Sequence, residues 1–110
     1  MRFVLFALFA GVATPAFGDN LPKSMLGKWA SDPAACAEQS SELGMTVEPR
    51  SILFYEHGYE LNRIARLKDG SFKGQGYSFD PDGKSKGTIT LKQIDPDKLQ
   101  VRDETYYRCK

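Results

Sequence analysis

The residues best suited to chemistry in this sequence are its only two cysteines, Cys36 and Cys109. A cysteine acts as a nucleophile or a metal ligand through its thiolate, and it then needs a positioned histidine or a cluster of further ligands. The sequence supplies neither arrangement, so we predict that the two cysteines form a structural disulfide. Closing so long a loop would remove roughly 4 kcal/mol of unfolded-state entropy in the chain-entropy model.

Acid–base chemistry has little support in the other residues. The single histidine, His57, follows Glu56 in a predicted turn, and no serine or cysteine nucleophile can be assigned to it. Paired carboxylates in contrasting environments are the usual alternative, and Glu56, Glu60 and the turn aspartates form no such pair. The sequence therefore predicts no catalytic residues and a protein that is not an enzyme.

A calcium site is the remaining chemistry to weigh, at Asp80 and Asp82 before Gly83. Acids at alternate positions before a glycine are typical of EF-hand loops, which also need a bidentate glutamate at position twelve. Counting along the loop places Ile89 at that position. A hairpin turn accounts for Asp80 to Gly83 without an ion, so we expect neither a metal nor a cofactor.

Residues 1–18 have the character of a secretory signal peptide. A positively charged start precedes the apolar run Phe3–Ala10, and the small residues Ala16 and Gly18 occupy the minus-three and minus-one positions that a signal peptidase needs. We predict cleavage before Asp19, which leaves residues 19–110 as one small domain in the periplasm or outside the cell. The apolar run is too short for a membrane span, which needs about 20 residues. Disulfides form and persist in such compartments, which supports the predicted bond.

The charge of the chain is nearly balanced, with 15 Lys and Arg against 14 Asp and Glu. This balance argues against wholesale binding of polyanions. Basic residues nevertheless outnumber acidic ones between positions 63 and 92. This excess indicates either a basic face or a solvated sheet surface whose charges keep strand edges from pairing with other chains, and we prefer the solvated surface. The basic residues of this stretch are Arg63, Arg66, Lys68, Lys73, Lys84, Lys86 and Lys92.

One stretch of this region, Lys73–Phe79, resembles the aromatic strand motif with which RNA-binding sheets stack bases. Gln75 stands where that motif has an aromatic residue, and Ser78 stands where it has an aliphatic one. An exported protein is also removed from cytoplasmic RNA. We therefore expect no nucleic-acid partner.

The elements that position these residues are mainly β-strands. From Met45 onward, apolar and aromatic residues alternate with polar ones between regularly spaced turn signals. This pattern predicts seven or eight short antiparallel strands that close into a small up-and-down barrel. Ahead of them, we expect an extended or mobile arm over residues 19–24 and one short helix from Ser31 to Glu38, with Gly44 as the farthest point at which it could end. The inward candidates are Phe54, Leu61, Phe72, Ile89, Leu91, Leu99 and Val101.

The start of the folded body, Gly27-Lys28-Trp29, resembles the G-x-W signature that opens the first strand of lipocalins and related calycin barrels. The resemblance implies that Trp29 closes one end of the barrel and packs under an arginine near the last strand, a cation–π arrangement. Arg108 stands where that arginine is expected. The alternative is that Trp29 is an ordinary core residue.

Small secreted bacterial protease inhibitors of the same barrel type are nearer in length to this chain and also open with G-x-W. Likeness to them implies an N-terminal arm that enters a protease cleft, which corresponds to residues 19–24 here. Their cysteines close a short loop, whereas Cys36 and Cys109 would close a long one.

These observations leave two main functions: binding of another protein, and carriage of a small hydrophobic ligand. An eight-stranded barrel is only just wide enough for its own side chains or one small ligand, and so small a domain can spare little core volume. We therefore expect a protein partner, with the chain acting as an inhibitor or accessory of an envelope or host protein; a structural or stress-related envelope role is a third hypothesis. The contact candidates, chosen because Tyr and Arg anchor interfaces, are Tyr55, Tyr59, Arg63, Arg66 and Tyr77.

Overall fold

Antiparallel strands are the main elements of the chain in a computed structural model that describes residues 17–18, 20–37 and 42–110. The strands are β1 (Phe17–Gly18), β2 (Gly27–Ala30), β3 (Gly44–Glu48), β4 (Ser51–Phe54), β5 (His57–Arg66), β6 (Phe72–Asp80), β7 (Gly83–Asp95), β8 (Lys98–Val101) and β9 (Glu104–Arg108). Two short 3₁₀ helices, Lys23–Met25 and Pro33–Ala37, flank β2. Each barrel strand pairs with its neighbours in the sequence.

Pairing of the first and last barrel strands closes the sheet. The strand order is β5-β4-β3-β2-β9-β8-β7-β6, and β6 pairs with β5 again. Between β2 and β9, Trp29 lies opposite Arg108. Strand β1 stands outside this cycle and pairs with the second half of β5, where Phe17 lies opposite Ala65. The predicted mainly-β, closed up-and-down barrel is thus confirmed, with eight strands in the barrel.

Aspartates shape three of the hairpin turns. In each turn, a carboxylate oxygen accepts a hydrogen bond from the backbone N–H two residues ahead, which fixes the direction of the chain. The pairs are Asp69 with Ser71 (2.9 Å), Asp80 with Asp82 (2.8 Å) and Asp95 with Asp97 (2.8 Å). The hydroxyl of Ser71 also donates to Asp69 (2.6 Å), and these hydrogen bonds lower the pKa of Asp69. Asp80 therefore stabilises the hairpin turn that the sequence offers as the alternative to a calcium site.

The barrel interior is filled by side chains of the chain itself. Trp29, Met25 and Ile52 are the largest of the buried residues, each at most 1% exposed. The remaining buried apolar residues of this core are Leu21, Met45, Val47, Leu61, Ile64, Ile89, Leu91, Leu99, Val101 and Tyr106, with Phe54 and Phe72 packed against them. Alternation along the strands places these residues on one face, and all seven inward candidates belong to this cluster or pack on it.

The predicted short helix is not confirmed. The described residues of this stretch form the 3₁₀ helix Pro33–Ala37, whose first turn is capped when the N–H of Ala34 donates to the carboxylate of Asp32 at 3.0 Å. Gly44, the farthest expected end of the helix, instead begins β3 and lies opposite Ala30. Because Gly44 belongs to the sheet, it does not end a helix as expected. Residues 38–41 of the expected helix lie outside the described residues.

The N-terminal arm packs on the barrel over the part that the structure describes. Leu21 is buried at 3% exposure, and its N–H donates to the carbonyl oxygen of Pro49 at 2.7 Å. Met25 is buried, and its carbonyl oxygen accepts a hydrogen bond from the indole N–H of Trp29 at 3.0 Å. The arm thus covers one end of the barrel; Asp19 lies outside the described residues.

Candidate functional site

Cys36 and Cys109 form the predicted disulfide, with sulfur atoms 2.07 Å apart. Cys36 lies in the 3₁₀ helix after β2, and Cys109 follows β9. The N–H of Cys109 donates to the carbonyl oxygen of Lys28 at 2.8 Å, so the bond lies directly beside β2. The chain has two cysteines, and both are therefore committed to this bond.

The structure brings Gly27, Trp29 and Arg108 together at the end of the barrel that the arm covers. The guanidinium carbon of Arg108 lies 4.2 Å from the centroid of the Trp29 ring, within the range of a cation–π interaction. The same group donates to the carbonyl oxygens of Leu26 (3.0 Å) and Pro96 (3.1 Å). Gly27 has a φ of 122°, a region that favours glycine, and a Cβ there would lie 3.4 Å from the guanidinium.

An aromatic cluster occupies the other end of the barrel and was not identified from the sequence. The ring of Phe54 stacks on His57, with centroids 4.7 Å apart, and contacts Tyr59 edge-on at 6.4 Å. Tyr106 lies 6.3 Å from Phe54 on the inner side, and the guanidinium of Arg102 lies 5.2 Å from the Phe54 centroid. The sequence signal that points to Tyr106 is the two-residue period of β9, which places Tyr106 on the same face of the sheet as Arg108.

Tyr106 is the buried phenol of this cluster. Burial, followed by the charge of Glu104, raises the pKa of Tyr106 to about 12. The hydroxyl of Tyr106 donates to the Glu104 carboxylate at 3.2 Å, so losing its proton would place two negative charges side by side.

The five contact candidates do not meet in one patch. Tyr77 and Arg63 lie on the outer face of the β5–β6 pair, because the residues that alternate with them point into the core. Tyr55 is exposed in the turn between β4 and β5, and Arg66 is exposed at the far end of β5. Tyr59 is half-buried and packs against the core.

Basic residues surround Tyr77 on the outer face of the β6–β7 hairpin. The Lys84 ammonium lies 5.5 Å from the Tyr77 centroid and 2.9 Å from a carboxylate oxygen of Glu60. Lys86 lies directly opposite Tyr77 in the register of β6 and β7. We call this surface the hairpin face. A groove crosses it between side chains of Asn62, Gln75, Tyr77, Lys86 and Thr88.

One edge of β7 lacks a neighbouring strand along half of its length. Strand β8 is much shorter than β7 and pairs with it only from Leu91 to Asp95. The carbonyl oxygen of Thr90 accepts the N–H of Arg102 at 3.0 Å, at the turn between β8 and β9. Within the described part of the chain, β7 pairs only with β6 from Gly83 to Thr90.

Comparisons with known proteins give this chain no relatives: no family model, no curated protein and no solved structure matches it. Among the described residues, no helix has the length and apolar character needed to cross a membrane. No group of three or more His, Cys, Asp or Glu side chains in that same part of the chain is arranged to hold a metal ion.

Proposed function

We propose that this chain is an exported, non-enzymatic module that binds another protein through the outside of its barrel. The observation that carries the proposal is the filled interior. Residues from seven of the strands, together with Leu21 from the arm and Met25 directly after it, occupy the space that a carrier would leave for its ligand. A small domain needs that burial to offset its chain entropy, so recognition is left to the outer surface.

Export is supported by two independent features. The signal-peptide character of residues 1–18 directs the chain to an oxidising compartment, and the bond between Cys36 and Cys109 is of the kind that persists there. The partner is then an envelope protein or a host protein, which the chain inhibits or assists.

The stack of Arg108 on Trp29 supports kinship with calycin barrels, since it matches the arrangement that the G-x-W resemblance implies. The inhibitor version with an inserting arm has less support. Leu21 and Met25 are buried against the barrel, and freeing them would expose apolar side chains at a cost of about 1.5–3 kcal/mol each. We therefore assign recognition to the hairpin face and its surroundings.

The first test is native mass spectrometry of the protein purified gently from its own source. The expected result is a mature chain that begins at Asp19 and travels with a second protein that is released on denaturation. An adduct of a few hundred daltons in place of a protein would overturn the proposal in favour of the carrier. A bare chain that captures no partner from envelope or host extracts would favour the structural role.

Site-specific crosslinking then locates the interface. A photoreactive amino acid replaces Tyr77 on the hairpin face, and in the control it replaces Lys28, which is exposed on β2. We expect crosslinks to one discrete protein from position 77 only. Equal crosslinking from both positions would show that the hairpin face is not the recognition surface.

The carrier remains the second candidate because of the aromatic cluster. Phe54 and Tyr59 are half-buried at the end of the barrel opposite the arm, where a small aromatic or apolar molecule would enter. Binding of an apolar fluorescent dye that is weakened by Phe54→Ala would favour this function. An unchanged dye signal would exclude this entrance.

A further inference from the structure

The open edge of β7 presents backbone groups in the arrangement that a sheet uses to accept another strand. In an antiparallel pair, successive residues direct their N–H and C=O groups to opposite edges. Because the carbonyl of Thr90 is directed toward the β8 side, the backbone groups of Thr88, Lys86 and Lys84 face that same edge. None of these three has a backbone partner there among the described residues, and all are exposed.

The side chains beside this edge favour a negatively charged occupant. Lys86 has no ion-pair partner in the described part of the chain, whereas Lys84 is held by Glu60. Lys92 continues the outward row on β7, and Lys73 lies on the neighbouring strand opposite Thr90. An extended segment with acidic residues at alternate positions would place its carboxylates next to these ammonium groups.

A second copy of the same edge fits less well. Two β7 strands paired edge to edge would bring lysines of both copies against each other, and like charges directly opposite are destabilising. Lysines at an edge protect natural sheets from this kind of self-association. The same lysines attract an acidic strand, so they disfavour pairing with a second copy of this chain and favour pairing with an acidic segment of another protein.

We propose that the edge formed by Lys84, Lys86 and Thr88 binds an acidic, extended segment of the partner protein, which adds to β7 as a further strand. Main-chain hydrogen bonds supply the affinity, and alternate side chains supply the specificity. The inference rests on the proposed protein-binding function and specifies the chemistry of the partner.

The test uses a synthetic peptide of alternating glutamate and valine, with blocked ends, and isotope-labelled protein observed by NMR. We expect the amide protons of Lys84, Lys86 and Thr88 to gain protection from exchange when the peptide is added. A peptide of alternating lysine and valine is expected not to bind. A glutamate–valine peptide N-methylated along one edge keeps its charge but loses donors, and it should bind only weakly.

Matched variants separate the site from a general charge effect. Lys86→Glu is expected to weaken binding of the acidic peptide by about tenfold or more, whereas Lys28→Glu makes the same change in net charge on β2 and should leave it unaltered. Equal losses in both variants, absence of protection at the three amides, or equal binding of the lysine peptide would overturn the proposal. A wild-type dimer whose contact protects these amides would also overturn it.

The two proposals fail separately. If a captured partner binds Lys86→Glu as tightly as the wild type, the edge is not the site and the protein-binding function stands. If the acidic peptide protects the edge but the exported protein has no protein partner, the edge accepts an acidic strand as inferred from its chemistry, but the proposed function fails and with it the assignment of that strand to a partner protein.

Discussion

Arg108 joins three separate segments of the chain through one guanidinium group: the stretch before β2, the Trp29 ring and the turn between β7 and β8. We expect Arg108→Ala to lower the free energy of unfolding by about 3 kcal/mol, because it removes charged hydrogen bonds and the cation–π contact. The ion pair with the half-exposed Asp97 at 3.7 Å adds little. Urea unfolding followed by the fluorescence of Trp29, the only tryptophan, measures the change.

Arg108→Lys is the informative companion variant, since lysine keeps the charge but lacks the planar fork. It should recover only part of the lost stability. Arg66→Ala, at an exposed position on β5, serves as the control and should change stability by less than about 0.5 kcal/mol. Equal stabilities of Arg108→Ala and Arg66→Ala would contradict the role given to the guanidinium.

Tyr106 makes the free energy of unfolding depend on pH in the alkaline range. Its pKa is raised from 10.0 to about 12 in the folded protein, first by burial and then by Glu104. The folded state therefore retains the proton more strongly than the unfolded state, so the contribution is complete below pH 10 and is lost as the pH rises to about 12. Tyr106→Phe removes this loss and should flatten the wild-type decline over that window.

The measurement is the free energy of urea unfolding at several alkaline pH values for the wild type and Tyr106→Phe. Tyr107→Phe removes a neighbouring hydroxyl on β9 and is the matched control. A decline in Tyr106→Phe as steep as that of the wild type would assign the alkaline dependence to other groups.

At the scale of elements, one irregular point of the barrel is the register shift in β5 between Leu61 and Arg63. Gly76 on β6 faces it, and a Cβ at Gly76 would lie 1.9 Å from the carbonyl oxygen of Glu60. A backbone oxygen cannot move aside as a flexible side chain can. Gly76→Ala should therefore lower the free energy of unfolding by more than about 3 kcal/mol or prevent folding. Chemical denaturation and the NMR amide spectrum report the outcome.

Gly70→Ala is the control for Gly76→Ala. Its Cβ would meet no atom within 4 Å, but its φ is 89°, so only backbone strain of about 1–2 kcal/mol is expected. If the two variants lost the same stability, the close approach of β5 and β6 would not be the reason that position 76 requires glycine.

The strands were predictable because burial on one face imposes a two-residue period that is visible in segments such as Thr88 to Leu91. The helix predicted from the local propensity of residues such as Ala34 and Ala35 is not confirmed: the described part of that stretch is a 3₁₀ helix, and Gly44 pairs with Ala30 in the sheet, a contact between distant residues that local propensity does not report. The open edge of β7 was equally hidden, since it depends on the relative lengths of β7 and β8. Strand pairing across the sheet has no local signal in the sequence.

The candidate site was only partly accessible to sequence analysis. Tyr77 and Lys86 are neighbours because of the register of β6 and β7, which the turn residues indicate. Tyr59 and Tyr55 differ in exposure although both are tyrosines near one turn, because only Tyr59 lies on the inner face of β5. Residue type identifies contact candidates, but the barrel decides which of them reach the surface together.

At the scale of the whole molecule, the disulfide between Cys36 and Cys109 spans 73 residues. Replacing both cysteines with alanine should lower the free energy of unfolding by about 4 kcal/mol, since the unfolded chain regains the entropy of an open loop. The urea midpoint of the double variant, compared with that of the oxidised wild type, measures this. The reduced wild type should behave like the variant; a midpoint unchanged in both would show that the bond is thermodynamically neutral.

The same bond also gives the protein an unusual covalent shape. Strands β3 to β9 lie within the ring that Cys36 and Cys109 close, while the arm and β2 lie outside it. A protease that cuts any one loop inside the ring opens the ring but releases no fragment, so the nicked molecule remains in one piece until it is reduced. A cut before Cys36, by contrast, leaves Trp29 and its strand held by packing alone. The segment before Cys36 is thus a part of the chain that a single proteolytic cut can release, whereas the strands inside the ring are not.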